Sequence, residues 1–197
     1  MKSVAKQEQI LETAIKRFTH FGLQKTTMTE IAGDLSISKP SLFYYFPDKS
    51  SLVKAVEEKI TGEYIQALNK ELGTTETIEA GLTKLIEVKN GYFEKYYLLV
   101  SQVEHTDALF ISKVMMEVKQ SLREREIEVL ATLLKKGIET GELKPLDPLK
   151  IVNLLLDTLA AFAQCVRDKT FPEKVDFNNN TQKQKEVIQV FYNGLKR

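Results

Sequence analysis

A short segment near the N-terminus carries side chains whose chemistry suits a polyanion. Ser38, Lys39, Ser41 and Tyr44 supply two hydroxyls, one ammonium group and one phenol ring. Hydroxyl and ammonium groups hydrogen-bond to phosphate oxygens and base edges, and an aromatic ring packs on a thymine methyl group. If one helix presents them together, they predict a surface that reads nucleic acid.

Two residues outside this segment are candidate phosphate contacts. Lys49 is predicted to begin the following helix, where its ammonium group and the helix N-terminus both favour an anion. Thr27 is predicted to begin the preceding helix, and its hydroxyl can cap that helix, hold a phosphate, or do both. The predicted DNA contacts are Thr27, Ser38, Lys39, Pro40, Ser41, Tyr44, Tyr45 and Lys49.

Apolar periodicity predicts the helices that position these side chains. A first helix spans residues 4–21, and the sequence Thr27-Met28-Thr29-Glu30 has the form of a capping box that starts a second helix. The helical pattern is interrupted at Ser36, and a short third helix is predicted to begin near Ser38. Phe43 and Phe46 are predicted to be among its core contacts. A helix, a tight turn and a second helix that enters the major groove form a DNA-reading motif.

The rest of the chain also reads as helical, with no alternating strand pattern. The predicted fold class is all-α with about nine helices, divided into a helix-turn-helix domain at 1–48 and a C-terminal domain at 49–197. A short helix is predicted within 101–110, a solvated face at 123–126, and a polar loop at 178–180. The predicted long helices span 49–72, 76–99, 112–140, 147–168 and 181–196.

Composition limits the classes of protein. The chain has 197 residues and a net charge of +1, and its first fifty residues hold seven basic and five acidic side chains. DNA affinity must therefore come from a local cluster that dimerisation doubles. Cys165 is the single cysteine, which excludes an internal disulfide, and neither a metal site nor a cofactor is predicted. Without a membrane-length apolar run or a signal peptide, a cytoplasmic location is expected.

Three blocks of sequence resemble the N-terminal domain of the TetR family of regulators. They are residues 26–32 (TTMTEIA), 35–46 (LSISKPSLFYYF) and 48–52 (DKSSL). Residues 137–143 (GIETGEL) more weakly resemble the family's turn before its penultimate helix. The resemblance implies a ligand-binding and dimerising C-terminal domain. Ser36 stands where the family usually has glycine, Phe43 where a tyrosine often contacts phosphate, and Tyr45 where histidine is common.

The last two long helices are the predicted dimer interface. The helix at 147–168 is apolar around most of its circumference, so that it should be buried on both sides. In a dimer, this helix and the final helix of each copy would form a four-helix interface. The dimer would then place its two recognition helices about 34–36 Å apart on a near-palindromic operator. The predicted interface residues are Leu155, Leu159, Phe162, Val187 and Phe191.

The C-terminal domain also holds candidates for a small-molecule site. Aromatic and thioether side chains can line an apolar cavity, although the same side chains also build ordinary cores. The candidates for an apolar or amphipathic ligand are Tyr92, Tyr96, His105, Met115 and Phe162.

These features predict a DNA-binding repressor that a ligand releases. The alternative is a dimeric helical adaptor that binds a protein and has a vestigial DNA-binding domain, which the near-neutral charge favours slightly. The sequence holds no glycine-rich phosphate loop, nucleophile elbow or metal-ligand spacing, so an enzyme is not predicted.

Overall fold

The computed structural model describes residues 2–104, 109–170 and 176–197. This part of the chain folds into eight α-helices with no β-strand, which confirms the all-α prediction. The helices are α1 (Lys2–Phe21), α2 (Met28–Asp34), α3 (Lys39–Tyr45), α4 (Lys49–Gly73), α5 (Ile78–Glu104), α6 (Leu109–Glu139), α7 (Pro148–Thr170) and α8 (Phe177–Leu195).

Two predicted segments, a short helix and a loop, are wrong. The described residues of 101–110 belong to the long helices α5, which continues to Glu104, and α6, which begins at Leu109, rather than to a separate short helix. Residues 105–108 lie outside the described residues. The asparagine run at 178–180 is the first turn of α8 rather than a loop, because the Asp176 carboxylate accepts from the Asn179 amide at 3.0 Å and caps that turn.

The described residues form two compact units. The first comprises residues 1–63 and 95–122 and contains α1, α2 and α3. Apolar side chains from these helices and from the start of α4 form its core, and Lys59 of α4 pairs with Glu8 of α1. The domain boundary predicted at residues 48 and 49 stays a prediction. The buried core residues include Ile10, Ala14, Phe18, Ile31, Leu42, Phe46, Leu52 and Val56.

The second unit comprises residues 64–94 and 123–197. The turn between α6 and α7 is tied to its neighbours through Glu142, whose carboxylate accepts from the Ile78 amide at 2.8 Å and from the Tyr192 hydroxyl at 3.1 Å. Gly137 packs so tightly that a Cβ there would lie 2.5 Å from Ile78. The buried core residues include Leu68, Leu82, Leu85, Ile86, Leu130, Leu134, Val152, Leu155 and Leu159.

A charged cluster is buried within the second unit. The Glu126 carboxylate accepts from the Tyr64 hydroxyl at 2.6 Å and forms an ion pair with Lys89. Glu126 is 5% exposed, so that the predicted solvated face at 123–126 is wrong at this position. The reason is tertiary, because α4 and α5 supply the two partners that make a buried carboxylate tolerable.

Candidate nucleic-acid interface

Helix α3 is short, and the side chain of Ser38 caps its N-terminus. The Ser38 hydroxyl accepts from the Ser41 amide at 3.2 Å and donates to the Ser41 hydroxyl at 3.0 Å. Pro40 lies in the first turn, where its missing N–H is not needed. Leu42 and Phe46 are buried and hold the inner face of the helix.

The outer face of α3 carries the side chains predicted to contact DNA. Lys39, Pro40 and Ser41 are exposed, and the Tyr44 side chain is 82% exposed. The Tyr45 ring packs edge-on against Tyr44 with centroids 5.2 Å apart. The structure therefore brings residues 38–41, 44 and 45 onto one surface helix.

Phe43 also lies on this outer face, and its prediction as a core residue is wrong. It is 36% exposed, whereas Phe46 is 4% exposed as predicted. Residues 42 and 46 are four apart and share the inner face, while residue 43 is rotated by about 100° from Leu42. The Lys39 ammonium group lies 5.6 Å from the centroid of the Phe43 ring.

Thr27 caps α2 as the sequence predicted. Its hydroxyl accepts from the Glu30 amide at 3.2 Å, and the Glu30 carboxylate accepts from the Thr27 amide at 2.7 Å. The hydrogen bond from the Thr27 amide, followed by that from the Thr27 hydroxyl, lowers the pKa of Glu30. The capping box is confirmed, and a phosphate contact at Thr27 stays a prediction.

Arg17 positions α2 against α1, a role that sequence reasoning missed. Its guanidinium donates to the Asp34 carboxylate at 2.8 Å and lies 3.5 Å from Glu30. The hydrogen bond from Arg17 lowers the pKa of Asp34. Glu30 and Asp34 are four residues apart on α2, and this spacing was the available signal for a shared basic partner.

Lys49 begins α4 but does not extend freely into solvent. Its ammonium group donates to the Gln24 carbonyl at 3.3 Å, in the turn between α1 and α2. Partial burial lowers the pKa of Lys49, and the charge of Glu30 opposes that shift. Lys49 therefore links α4 to the turn before α2, and its phosphate contact stays a prediction.

The turn between α2 and α3 contains a left-handed serine. Ser36 has a φ of 50°, and its amide donates to the Gly33 carbonyl at 3.0 Å. Ile37 donates to the Ala32 carbonyl at 3.0 Å and closes the turn. A side chain in this conformation costs free energy because its Cβ crowds the following carbonyl oxygen.

Replacing Ser36 by glycine should therefore raise the free energy of unfolding. Relief of about 1–2 kcal/mol of strain outweighs the greater backbone entropy of an unfolded glycine, about 0.5–1 kcal/mol, and leaves a gain of about 0.5–1 kcal/mol. Urea unfolding measures this change. The control variant Ser36→Ala keeps the Cβ and should show no gain, and a Ser36→Gly protein less stable than wild type would contradict the strain.

The predicted ligand contacts are spread along the chain. Tyr96 is 7% exposed, and its hydroxyl donates to Glu63 at 3.4 Å in the first unit. Tyr92 packs edge-on against Tyr64 at 5.7 Å in the second unit, where Phe162 is half-buried. His105 and the Met115 side chain lie outside the described residues. A ligand pocket formed by these residues stays a prediction.

The predicted dimer contacts divide into two groups. Leu155 and Leu159 are each 2% exposed within the single chain, so their side chains belong to the core of their own unit. Phe162, Val187 and Phe191 are half-buried. The exposed apolar side chains of the same helices include Leu154, at 53%, and Val190, at 71%. A partner can therefore meet α7 and α8 at Leu154 and Val190 but not directly at Leu155 and Leu159.

Comparison with known proteins identifies the helix-turn-helix. Residues 10–56, which contain α2, the Ser36 turn and α3, match the family model described as bacterial regulatory proteins, tetR family. The helix-turn-helix of this chain is therefore similar to that of TetR-family regulators. The curated transcriptional regulator RutR of Escherichia coli K12 is 23% identical over 193 residues, which cover 93% of this chain and 89% of RutR.

Solved structures of transcriptional regulators are similar to this chain in fold. A transcriptional regulator from Cytophaga hutchinsonii is 28% identical, with a TM-score of 0.84 and coverage of 98% of this chain and 99% of that one. FadR of Bacillus subtilis in complex with stearoyl-CoA is 16% identical, with a TM-score of 0.71 and coverage of 95% and 98%. None of the described helices is long and apolar enough to cross a membrane.

Proposed function

We propose that this protein is a TetR-type, cytoplasmic repressor that binds a near-palindromic operator as a homodimer and is released by a small apolar or amphipathic ligand. The observation that carries the proposal is the exposed face of α3, with Lys39 and Tyr44 held outward by Leu42 and Phe46 beneath them. The fold shared with FadR, a protein solved with stearoyl-CoA, supports a ligand-responsive C-terminal domain.

The proposed homodimer uses α7 and α8. Leu154 and Val190 are large apolar side chains that the single chain leaves exposed, and Phe191 is half-buried beside Val190. Two copies of this helix pair, related by a two-fold axis, would cover these side chains in a four-helix interface. Binding to a near-palindromic operator would require the two α3 helices of the dimer to lie about 34–36 Å apart, one turn of B-DNA.

Two lysine variants test whether Lys39 contacts bases and Lys49 contacts a phosphate. Lys39→Ala should change the sequence preference because Lys39 lies at the N-terminus of the reading helix. Lys49→Ala should weaken binding to all duplexes alike, about tenfold in a dimer, because a phosphate contact carries no sequence information. Fluorescence titration of a labelled fragment from upstream of the protein's own gene, beside a scrambled duplex, measures both.

Equal effects of the two variants on both duplexes would contradict the assignment of base reading to Lys39. Because Lys49 also donates to the Gln24 carbonyl, the melting temperature of Lys49→Ala must match wild type before its binding is compared. If wild type binds no duplex at low salt, the adaptor hypothesis, which the net charge of +1 favours, replaces the repressor.

Replacing Leu154 by aspartate should convert the dimer to monomers. A carboxylate would be desolvated at the centre of the proposed four-helix interface, and two copies face each other there. Sedimentation velocity measures the change. Val4→Asp alters an exposed apolar residue on α1 and should leave the dimer intact. A Leu154→Asp protein that sediments as wild type would remove this face from the interface.

A further inference from the structure

An exposed lysine and an exposed aromatic ring are paired on the reading helix. The Lys39 ammonium group lies 5.6 Å from the centroid of the Phe43 ring, one turn along α3. A cation at this distance from a ring face is attracted by the negative face of the ring. The flexible lysine side chain is thus held near Phe43 before any DNA is bound.

Phe43 has no hydrogen-bonding group to offer a phosphate or a base edge. It is nevertheless 36% exposed, beside the lysine, on the same outer face as Tyr44. Covering an exposed ring with an apolar group is favourable because it removes apolar surface from water. In the major groove the apolar group on the base edges is the thymine methyl, whereas guanine O6 and N7 are the acceptors that suit a lysine.

We infer that Lys39 and Phe43 act as one reading unit that selects a guanine next to a thymine in each half-site. Lys39 contacts guanine O6 and N7, and Phe43 packs on the thymine methyl while holding the lysine in place. The separation of 5.6 Å suits neighbouring base pairs, which are stacked about 3.4 Å apart. The inference rests on the proposed function, because it assumes that α3 enters the major groove.

Selection from a library of randomised duplexes tests this unit with the full chain. Wild type should enrich half-sites that contain a guanine beside a thymine. Lys39→Ala should lose the guanine and keep the thymine. Phe43→Ala should lose the thymine and weaken the guanine preference, because the ammonium group is no longer held. Phe43→Tyr retains the ring and should restore both preferences, a rescue that distinguishes positioning from a general loss of fold.

Replacing the selected thymine by uracil removes only the methyl group. Wild type should then bind about fourfold more weakly for each altered half-site, the effect of burying one methyl group. Phe43→Ala should bind the thymine and uracil duplexes equally. Because Phe43 is only 36% exposed, its truncation also removes buried apolar area, and both duplexes are compared at a temperature at which circular dichroism shows this variant to be folded.

The possible failures are distinguishable. If wild type enriches no sequence, the proposed function fails and this inference with it. If wild type enriches a half-site without the guanine and thymine pair, or binds the thymine and uracil duplexes equally, the inference alone is overturned and the repressor remains. Loss of both preferences in Phe43→Tyr would also overturn the inference.

Discussion

Replacing Lys89 by methionine should lower the free energy of unfolding by about 3 kcal/mol. The Lys89 ammonium group pairs with Glu126, whose side chain is only 6% exposed. Without the lysine, the buried carboxylate keeps the neutral Tyr64 hydroxyl at 2.6 Å and has lost its ion pair. We expect the lower end of the range for broken buried pairs, since the Lys89 side chain itself is 32% exposed.

A matched surface pair provides the control for this prediction. Lys84 pairs with Glu87 at 2.8 Å on the same helix, with both side chains more than a third exposed. Lys84→Met should therefore cost less than about 1 kcal/mol. The double variant Lys89→Met/Glu126→Gln should recover much of the loss, because no unpaired charge remains. Urea unfolding at pH 7 measures all three, and a Lys89→Met loss no larger than that of Lys84→Met would contradict the buried cluster.

Replacing Glu57 by glutamine should stabilise the protein at pH 8 and leave it unchanged near pH 4. Glu57 is 6% exposed in the first unit, and burial raises the pKa of its carboxyl from 4.5 to about 7, with Lys119 opposing the shift. Between pH 4.5 and about pH 7 the carboxyl of Glu57 keeps its proton in the folded state and releases it in the unfolded state. The stability of wild type should therefore fall as the pH rises through this interval.

The expected size of this effect follows from the pKa shift. The rise in the pKa of Glu57 lowers the free energy of unfolding above pH 7 by at most about 3 kcal/mol. Glu57→Gln should therefore raise the free energy of unfolding at pH 8 by about 1–3 kcal/mol. Glu58→Gln changes the exposed neighbour on the same helix and should show no such pH dependence. Denaturant unfolding at several pH values measures both variants, and an equal gain at pH 4 and pH 8 would contradict a buried, protonated carboxyl.

The parts of the interface that depend on local sequence could be predicted. The Thr27 capping box involves residues three apart, and Ser36 lies at the predicted break between two helices. The face of α3 was harder, because a seven-residue helix offers too few residues to separate an inner Leu42 from an outer Phe43. Helical rotation alone decides that difference.

Features that depend on distant partners could not be predicted. Glu126 lies in a charged run, and only contacts with Tyr64 and Lys89 on other helices show that it is buried. Helix α7 is apolar almost all round, so its pattern could not distinguish Leu155, which faces its own core, from Leu154, which faces outward. Tertiary packing sets both outcomes, and a single helix does not encode which side meets the core.

The salt dependence of DNA binding tests the central claim most directly. The affinity of wild type for the selected duplex and for a scrambled duplex would be measured by fluorescence titration between 50 and 200 mM salt. If the α3 face and Lys49 contact at least about four phosphates in the dimer, the logarithm of affinity should fall with the logarithm of salt at a slope of about −3.6 or steeper, with the selected duplex bound more tightly throughout. Binding that is absent at the lowest salt, or equal for the two duplexes, would contradict a sequence-reading helix-turn-helix.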